Sequence, residues 1–296
     1  MWTDRAPDQT RTVTVNGHRL QTYSYGSGER VVFLLNGGPG LPSDYLRVPH
    51  AWLTTRGYRV VGYDQLDCGA SDRPGDPANW TIARYAAEAE GVRRALGLGP
   101  VHLVGHSWGG WMAIEWALAH PGAIRALILE NTSADMPHAV AEVNHLRAAL
   151  GSETVAMMQR HEAAGTEDHP EYQAAVTLLN HRHVCRLPVW PEPVVRSMAD
   201  WNQGPYRTLQ GPNEYLVTGN LKDWNRVPDL LRIACPTLVL VGEHDMLTPA
   251  VAGRMVQALP DARLLIARGC AHMPFYEDPA TVLPALADFL DAQRDG

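Results

Sequence analysis

Residues 101–121, VHLVGHSWGGWMAIEWALAHP, limit what this chain can become. A continuous apolar strand, PVHLVG, runs straight into an apolar helical stretch, WGGWMAIEWALAH. A strand with no polar face must be covered on both sides, as in a parallel sheet with helices on each face. Between the two stretches stands Gly105-His106-Ser107-Trp108-Gly109. Glycines there permit a sharp strand-to-helix corner that a Cβ would crowd. Such a corner lifts the serine hydroxyl to the sheet edge, beside the positive N-terminus of the next helix. GxSxG can arise by chance in a glycine-rich turn. The preceding strand and following helix supply the context that the motif requires.

The same alternation extends along the chain. RTVTV and RLQTYSY flank Asn16-Gly17, a strong hairpin signal, and RVVFLL follows as a third strand. YRVVGYD and IRALILE are further strands, with a helix over TIARYAAEAEGVRRAL. Late in the chain come strand PTLVLVG, helix PAVAGRMVQAL, strand RLLIA and a last helix near 279–291. About a hundred residues lie between the sixth strand and the seventh, where a crossover needs only about a dozen. Helical spacing there, at Val140, Val143, Leu146 and Leu150 and at Tyr172, Val176 and Leu179, predicts a helical insertion over the carboxyl edge of the sheet. Ligands bind at that edge in open α/β sheets. The expected division is a core of 1–134 and 226–296 and an inserted cap of 135–225. A chain of 296 residues can bury a core of that size.

Charge and composition narrow the partners. The net charge is −7 and the 25 basic residues form no run, so neither nucleic acid nor an anionic membrane is expected. No stretch approaches the roughly 20 apolar residues of a membrane helix, and MWTDRAPDQT lacks the apolar segment of a signal peptide. Cys68, Cys185, Cys235 and Cys270 show no CxxC spacing, which predicts free thiols in a reducing cytoplasm. His181 and His183, two apart, would not share a helix face, so no metal site and no cofactor are expected.

A serine needs a base, and the base an orienting acid. VGEHDMLTP places Asp245 after the seventh strand, and ARGCAHMPFYEDP places His272 after the eighth. The order Ser–Asp–His is that of the α/β hydrolases. Glu130, ending the sixth strand, is the fallback acid. His102, His106, His181 and His183 are read as structural or surface residues. The oxyanion needs aimed donors: the backbone N–H of Trp108, and one from the NGGPG loop at 36–40, where Gly38 is the choice.

NGGPG, YDQLDCGAS, GHSWGG, GPNEYLVTGNLKDWN, GEHDMLTP and GCAHMPFYE together resemble the proline iminopeptidases of the α/β-hydrolase superfamily, from about Val13 to the C-terminus. The resemblance implies an α/β-hydrolase fold: a mostly parallel central sheet flanked by helices, with a helical cap inserted after the sixth core strand. It implies a serine hydrolase that releases an N-terminal residue such as proline from small peptides, or hydrolyses amino-acid amides, through an acyl-enzyme. Glu214, in the G-P-N-E-[FY] segment, would bind the substrate ammonium. Asn36 stands where the family usually has histidine. Met246 stands where members often carry a second ammonium-binding glutamate, which leaves carboxylic ester or lactone hydrolysis as the alternative. Dehalogenases and epoxide hydrolases use an aspartate nucleophile, whereas position 107 is serine. A non-catalytic binding protein would have no reason to keep Ser107, Asp245 and His272 together.

Overall fold

The hairpin turn at Asn16-Gly17 has positive φ at both residues (51° and 82°), as a type I′ turn requires. It joins β1 (Gln9–Val15) to β2 (His18–Tyr25). In the computed structural model, which describes residues 2–293, these strands open one eight-stranded sheet. The chain continues through β3 (Arg30–Leu35), α1 (Asp44–His50), β4 (Tyr58–Tyr63), α2 (Ile82–Ala95), β5 (Val101–His106), α3 (Trp108–Ala119) and β6 (Ile124–Glu130). Five helices follow: α4 (Met136–Ala148), α5 (Ser152–Ala164), α6 (Pro170–His183), α7 (Glu192–Ala199) and α8 (Gln203–Leu209). Then come β7 (Thr237–Gly242), α9 (Pro249–Ala258), β8 (Ala262–Ala267), α10 (Pro274–Glu277) and α11 (Pro279–Asp291). The strand order is β1-β2-β4-β3-β5-β6-β7-β8. β2 pairs antiparallel with β1 and β4, and every later pairing is parallel.

Alternation along the strands explains the two layers. Phe33, Leu35, Leu103, Leu127, Leu129, Val239 and Val241 pack on one face with residues of α2, α3 and α9. Their neighbours Val32, Leu34, Val104, Ala126, Ile128, Leu238 and Leu240 pack on the other with α1 and α11. Successive strand side chains point to opposite faces, so a sheet covered on both sides reads as an unbroken apolar run.

All eight strands expected from the sequence are present. α1 and α10 have no counterpart in the sequence pattern. They are seven and four residues long, and α1 carries Pro49 inside it. Neither spans enough residues for a helical period to declare itself. Between α8 and β7 the chain has only isolated bridges, Asn213–Leu216 and Asp135–Asn225, and a 3₁₀ turn at Val227–Arg232.

Candidate active site

β5 ends at the corner anticipated from its glycines. Ser107 has φ 55° and ψ −124°, a left-handed φ that a non-glycine residue holds only when its surroundings impose it. Three hydrogen bonds do so. The Ser107 N–H donates to the Glu130 carbonyl (3.0 Å), and the Ser107 carbonyl accepts from Gly110 N–H and from Thr132 Oγ1 (both 2.8 Å). A Cβ on Gly109 would lie 2.0 Å from the Leu35 carbonyl oxygen, so only glycine lets α3 start this close to β3.

The ends of β7 and β8 bring together Asp245 and His272, the expected acid and base. Asp245 is buried and accepts His272 Nδ1 (2.8 Å) and Leu247 N–H (3.0 Å) on Oδ1. Its Oδ2 accepts Asn131 Nδ2 at 2.6 Å. With Nδ1 engaged, His272 Nε2 is without a partner among the described residues, and His272 lines the same cavity as Ser107. Glu130 is instead paired with His50: its Oε1 lies 3.1 Å from His50 Nε2 with both side chains fully buried. The next residue, Asn131, also donates to the Ala271 carbonyl (3.1 Å). The fallback acid is thus engaged by His50, and Asp245 is the carboxylate bonded to His272. Asn131 was not anticipated. Its only sequence signal is its place just after a parallel strand at the carboxyl edge.

Burial disfavours the charged form of His272, but the Asp245 carboxylate, its hydrogen bond and the Glu214 charge outweigh it and raise the pKa. A neutral His272 is needed to take a proton, so the acid limb should sit above the ordinary histidine value of ≈ 6.5. For a neutral aryl ester, kcat/KM should climb with pH along one limb centred above about 6.5. A measured limb centred below about 6 would contradict this arrangement.

Gly38 lines the cavity with Ser107. Its loop is held from behind by Asn36, which is buried and donates from Nδ2 to the Leu41 carbonyl (2.5 Å). Gln65 Nε2 donates to the Asn36 carbonyl (2.9 Å), and Gln65 Oε1 accepts from Trp108 Nε1 (2.9 Å). One glutamine therefore braces both the glycine loop and the residue after Ser107, and Asn36 is a structural part of that brace.

Glu214 and Met246 both line the space beside Ser107. A cavity of about 540 Å³ extends past Leu41, Val184, Trp190, Met198 and Trp201. A second, of about 330 Å³, is lined by Met136, Ala139, Val143, Val217 and Leu247. Ser107, Glu214 and Met246 line both. Burial pushes the Glu214 carboxyl above its usual range, an effect opposed by the positive charge of His272 and the Tyr206 hydroxyl. Arg147 of α4 fixes this irregular segment by donating to the Tyr215 carbonyl (3.2 Å), and Asn213 Oδ1 accepts the Tyr215 N–H (2.9 Å). Met246 is buried and offers no charge.

Of the remaining histidines, His106 lines the larger cavity with Ser107 and His272, and is buried rather than on the surface. His183 Nδ1 bonds the His244 carbonyl (2.8 Å). Among the described residues, His161, His169 and Glu171 are close enough to share a metal ion. They do not line either cavity, and His169 Nδ1 already accepts the Glu171 N–H (3.3 Å). No helix among the described residues is long and apolar enough to cross a membrane.

Residues 30–279 match the family described as the alpha/beta hydrolase fold. A proline iminopeptidase from Saccharolobus solfataricus is 34% identical over 271 residues, covering 91% of this chain and 87% of the relative. The crystal structure of proline iminopeptidase from Mycobacterium smegmatis superposes with a TM-score of 0.89 at 34% identity, over 96% of this chain and 98% of its own. The crystal structure of VinJ does so with a TM-score of 0.92 at 34% identity, over 97% and 99%.

Proposed function

The chain belongs to the proline iminopeptidase family of the α/β-hydrolase fold, and on that footing we propose that it is a serine hydrolase releasing an N-terminal residue such as proline from small peptides or amides, with Ser107 as nucleophile. His272 Nε2 takes the Ser107 proton as Oγ attacks the scissile carbonyl. Asp245 holds the imidazole in the tautomer that leaves Nε2 bare, and balances the imidazolium that forms. The N–H groups of Trp108 and Gly38 receive the oxyanion. Collapse of the tetrahedral intermediate breaks the carbonyl–nitrogen bond. His272 then gives its proton to the departing amine, and water releases the acyl group by the same steps in reverse.

The observation that carries this reading is a meeting of roles on one cavity: a serine at a strained corner, a carboxylate-paired histidine and a lone partly buried glutamate. A carboxylate there pairs with a cation and disfavours blocked N-termini. The substrate ammonium would sit at Glu214, with its side chain in the smaller apolar recess and the leaving group towards Trp190 and Trp201. Residues 135–225 would serve as a cap on a core of 1–134 and 226–296. The four cysteines are all free thiols, which supports a reducing, cytoplasmic setting.

Met246 favours a second reading. With no second carboxylate beside Asp245, a neutral ester or lactone meets less opposition in this pocket. A kinetic panel separates the two: prolyl and alanyl anilides, their N-acetyl partners and simple aryl esters. Faster turnover of free-amine anilides than of N-acetyl ones is the expected result. Esters turned over with no preference for a free amine would make the second reading the better one.

A further inference from the structure

Between the glycine loop and the loop of the base runs a chain of hydrogen bonds whose directions are all determined. Gly37 N–H donates to the Tyr45 hydroxyl (2.6 Å). That hydroxyl lies 2.8 Å from His106 Nδ1. His106 Nε2 lies 2.9 Å from the backbone carbonyl of His272. A carbonyl can only accept, so Nε2 carries the proton. Burial, and next the positive charge of His272, hold the His106 pKa well below the usual histidine value, so the ring is neutral. Nδ1 is then bare and accepts from Tyr45, whose oxygen accepts from Gly37.

The surroundings leave little slack. His106 packs against the rings of His272 (centroids 4.7 Å apart) and Phe275 (5.2 Å). Tyr45 N–H donates to Ser197 Oγ of α7 (3.1 Å), and the Tyr45 carbonyl accepts from Tyr276 (2.8 Å). A Cβ on Gly37 would stand 2.8 Å from the Tyr45 hydroxyl and 3.0 Å from Ser107 Cβ, so the loop approaches the corner as closely as a backbone can. Because the Gly37 N–H is engaged, Gly38 is left as the loop's donor.

We propose that Tyr45 and His106 are positioning residues for hydrolysis, a relay that sets the Gly38 donor and the His272 base in register around Ser107. The proposal rests on the serine-hydrolase reading above. Donors that stabilise an oxyanion act through pre-set geometry, and a displacement of about 1 Å can cost about 10²-fold in rate. An interaction felt only in the transition state lowers kcat and kcat/KM together.

The test uses the full-length enzyme and a free-amine anilide. Tyr45→Phe removes one hydroxyl; His106→Leu removes both ring nitrogens and keeps the bulk. Each should lower kcat about 10- to 100-fold with KM within about threefold. His106→Gln, whose carbonyl accepts while its amide donates, should recover most of the loss. The double variant Tyr45→Phe/His106→Leu should be no worse than the poorer single, because links in one chain are not additive. Wild-type kcat in Tyr45→Phe, or losses that multiply in the double variant, would overturn the relay. Should His106→Leu not fold, kcat of Tyr45→Phe decides alone. Absence of turnover by the wild type on anilides and esters alike would instead sink the hydrolase reading, a separable result.

Discussion

Ser107→Ala should lower kcat by about 10⁶-fold, leaving on the order of 10³-fold acceleration over water from the oxyanion donors and binding. It should also abolish labelling by a fluorophosphonate probe, which needs the hydroxyl. His272→Ala should fall nearly as far, since a serine hydroxyl without a base attacks poorly. On the proposed mechanism the two act in one proton transfer, so Ser107→Ala/His272→Ala should be scarcely worse than either single variant. Losses that add on a logarithmic scale would contradict that coupling. Near wild-type turnover by purified Ser107→Ala would end the mechanism outright.

Glu214→Gln should cost about 30- to several-thousand-fold in kcat/KM for free-amine substrates, and little for neutral esters. Removing one partner of a desolvated charge pair costs about 2–5 kcal/mol, at 1.4 kcal/mol per decade. Glutamine keeps the shape and discards the charge, and Met246 provides no substitute. The measurement is the ratio of kcat/KM for an anilide to that for its N-acetyl partner, in wild type and variant. An unchanged ratio would remove Glu214 from the site. A second readout is independent of substrate charge. Glu214 helps to raise the His272 pKa, so with a neutral ester the acid limb should move to lower pH. Met246→Glu should act the opposite way, favouring free amines and pushing that limb up.

Most of the framework could be read from the chain because its central strands are apolar runs, most of them separated by helices of ten or more residues. Ser107, Asp245 and His272 were legible for a related reason: each stands just past such a run, where a parallel sheet exposes its carboxyl edge. Glu214 was legible only through the family resemblance, since its irregular segment depends on Arg147 and Asn213, which no periodicity announces. Asn131, Gln65 and Tyr45 were not legible. Asn131 reaches Asp245 across 114 positions, and Tyr45 reaches His106 across 61. Such contacts are created by the strand order, and a lone Asn, Gln or Tyr has no spacing signature of its own. One position also decides between neighbours: Glu130 pairs with His50, whereas Asn131 reaches Asp245.

The strand order bears on how the protein is made. β5, which carries Ser107, lies between β3 and β6, and all three precede residue 131 in the chain. β7 and β8, which deliver Asp245 and His272, are added last, on the far side of β6. A growing polypeptide can thus build the corner around its serine long before a base exists to activate it. On the proposed mechanism, until residue 272 has left the ribosome and β8 has paired, the nascent chain would have no hydrolytic power and would be inert toward the free N-termini of the other new peptides around it.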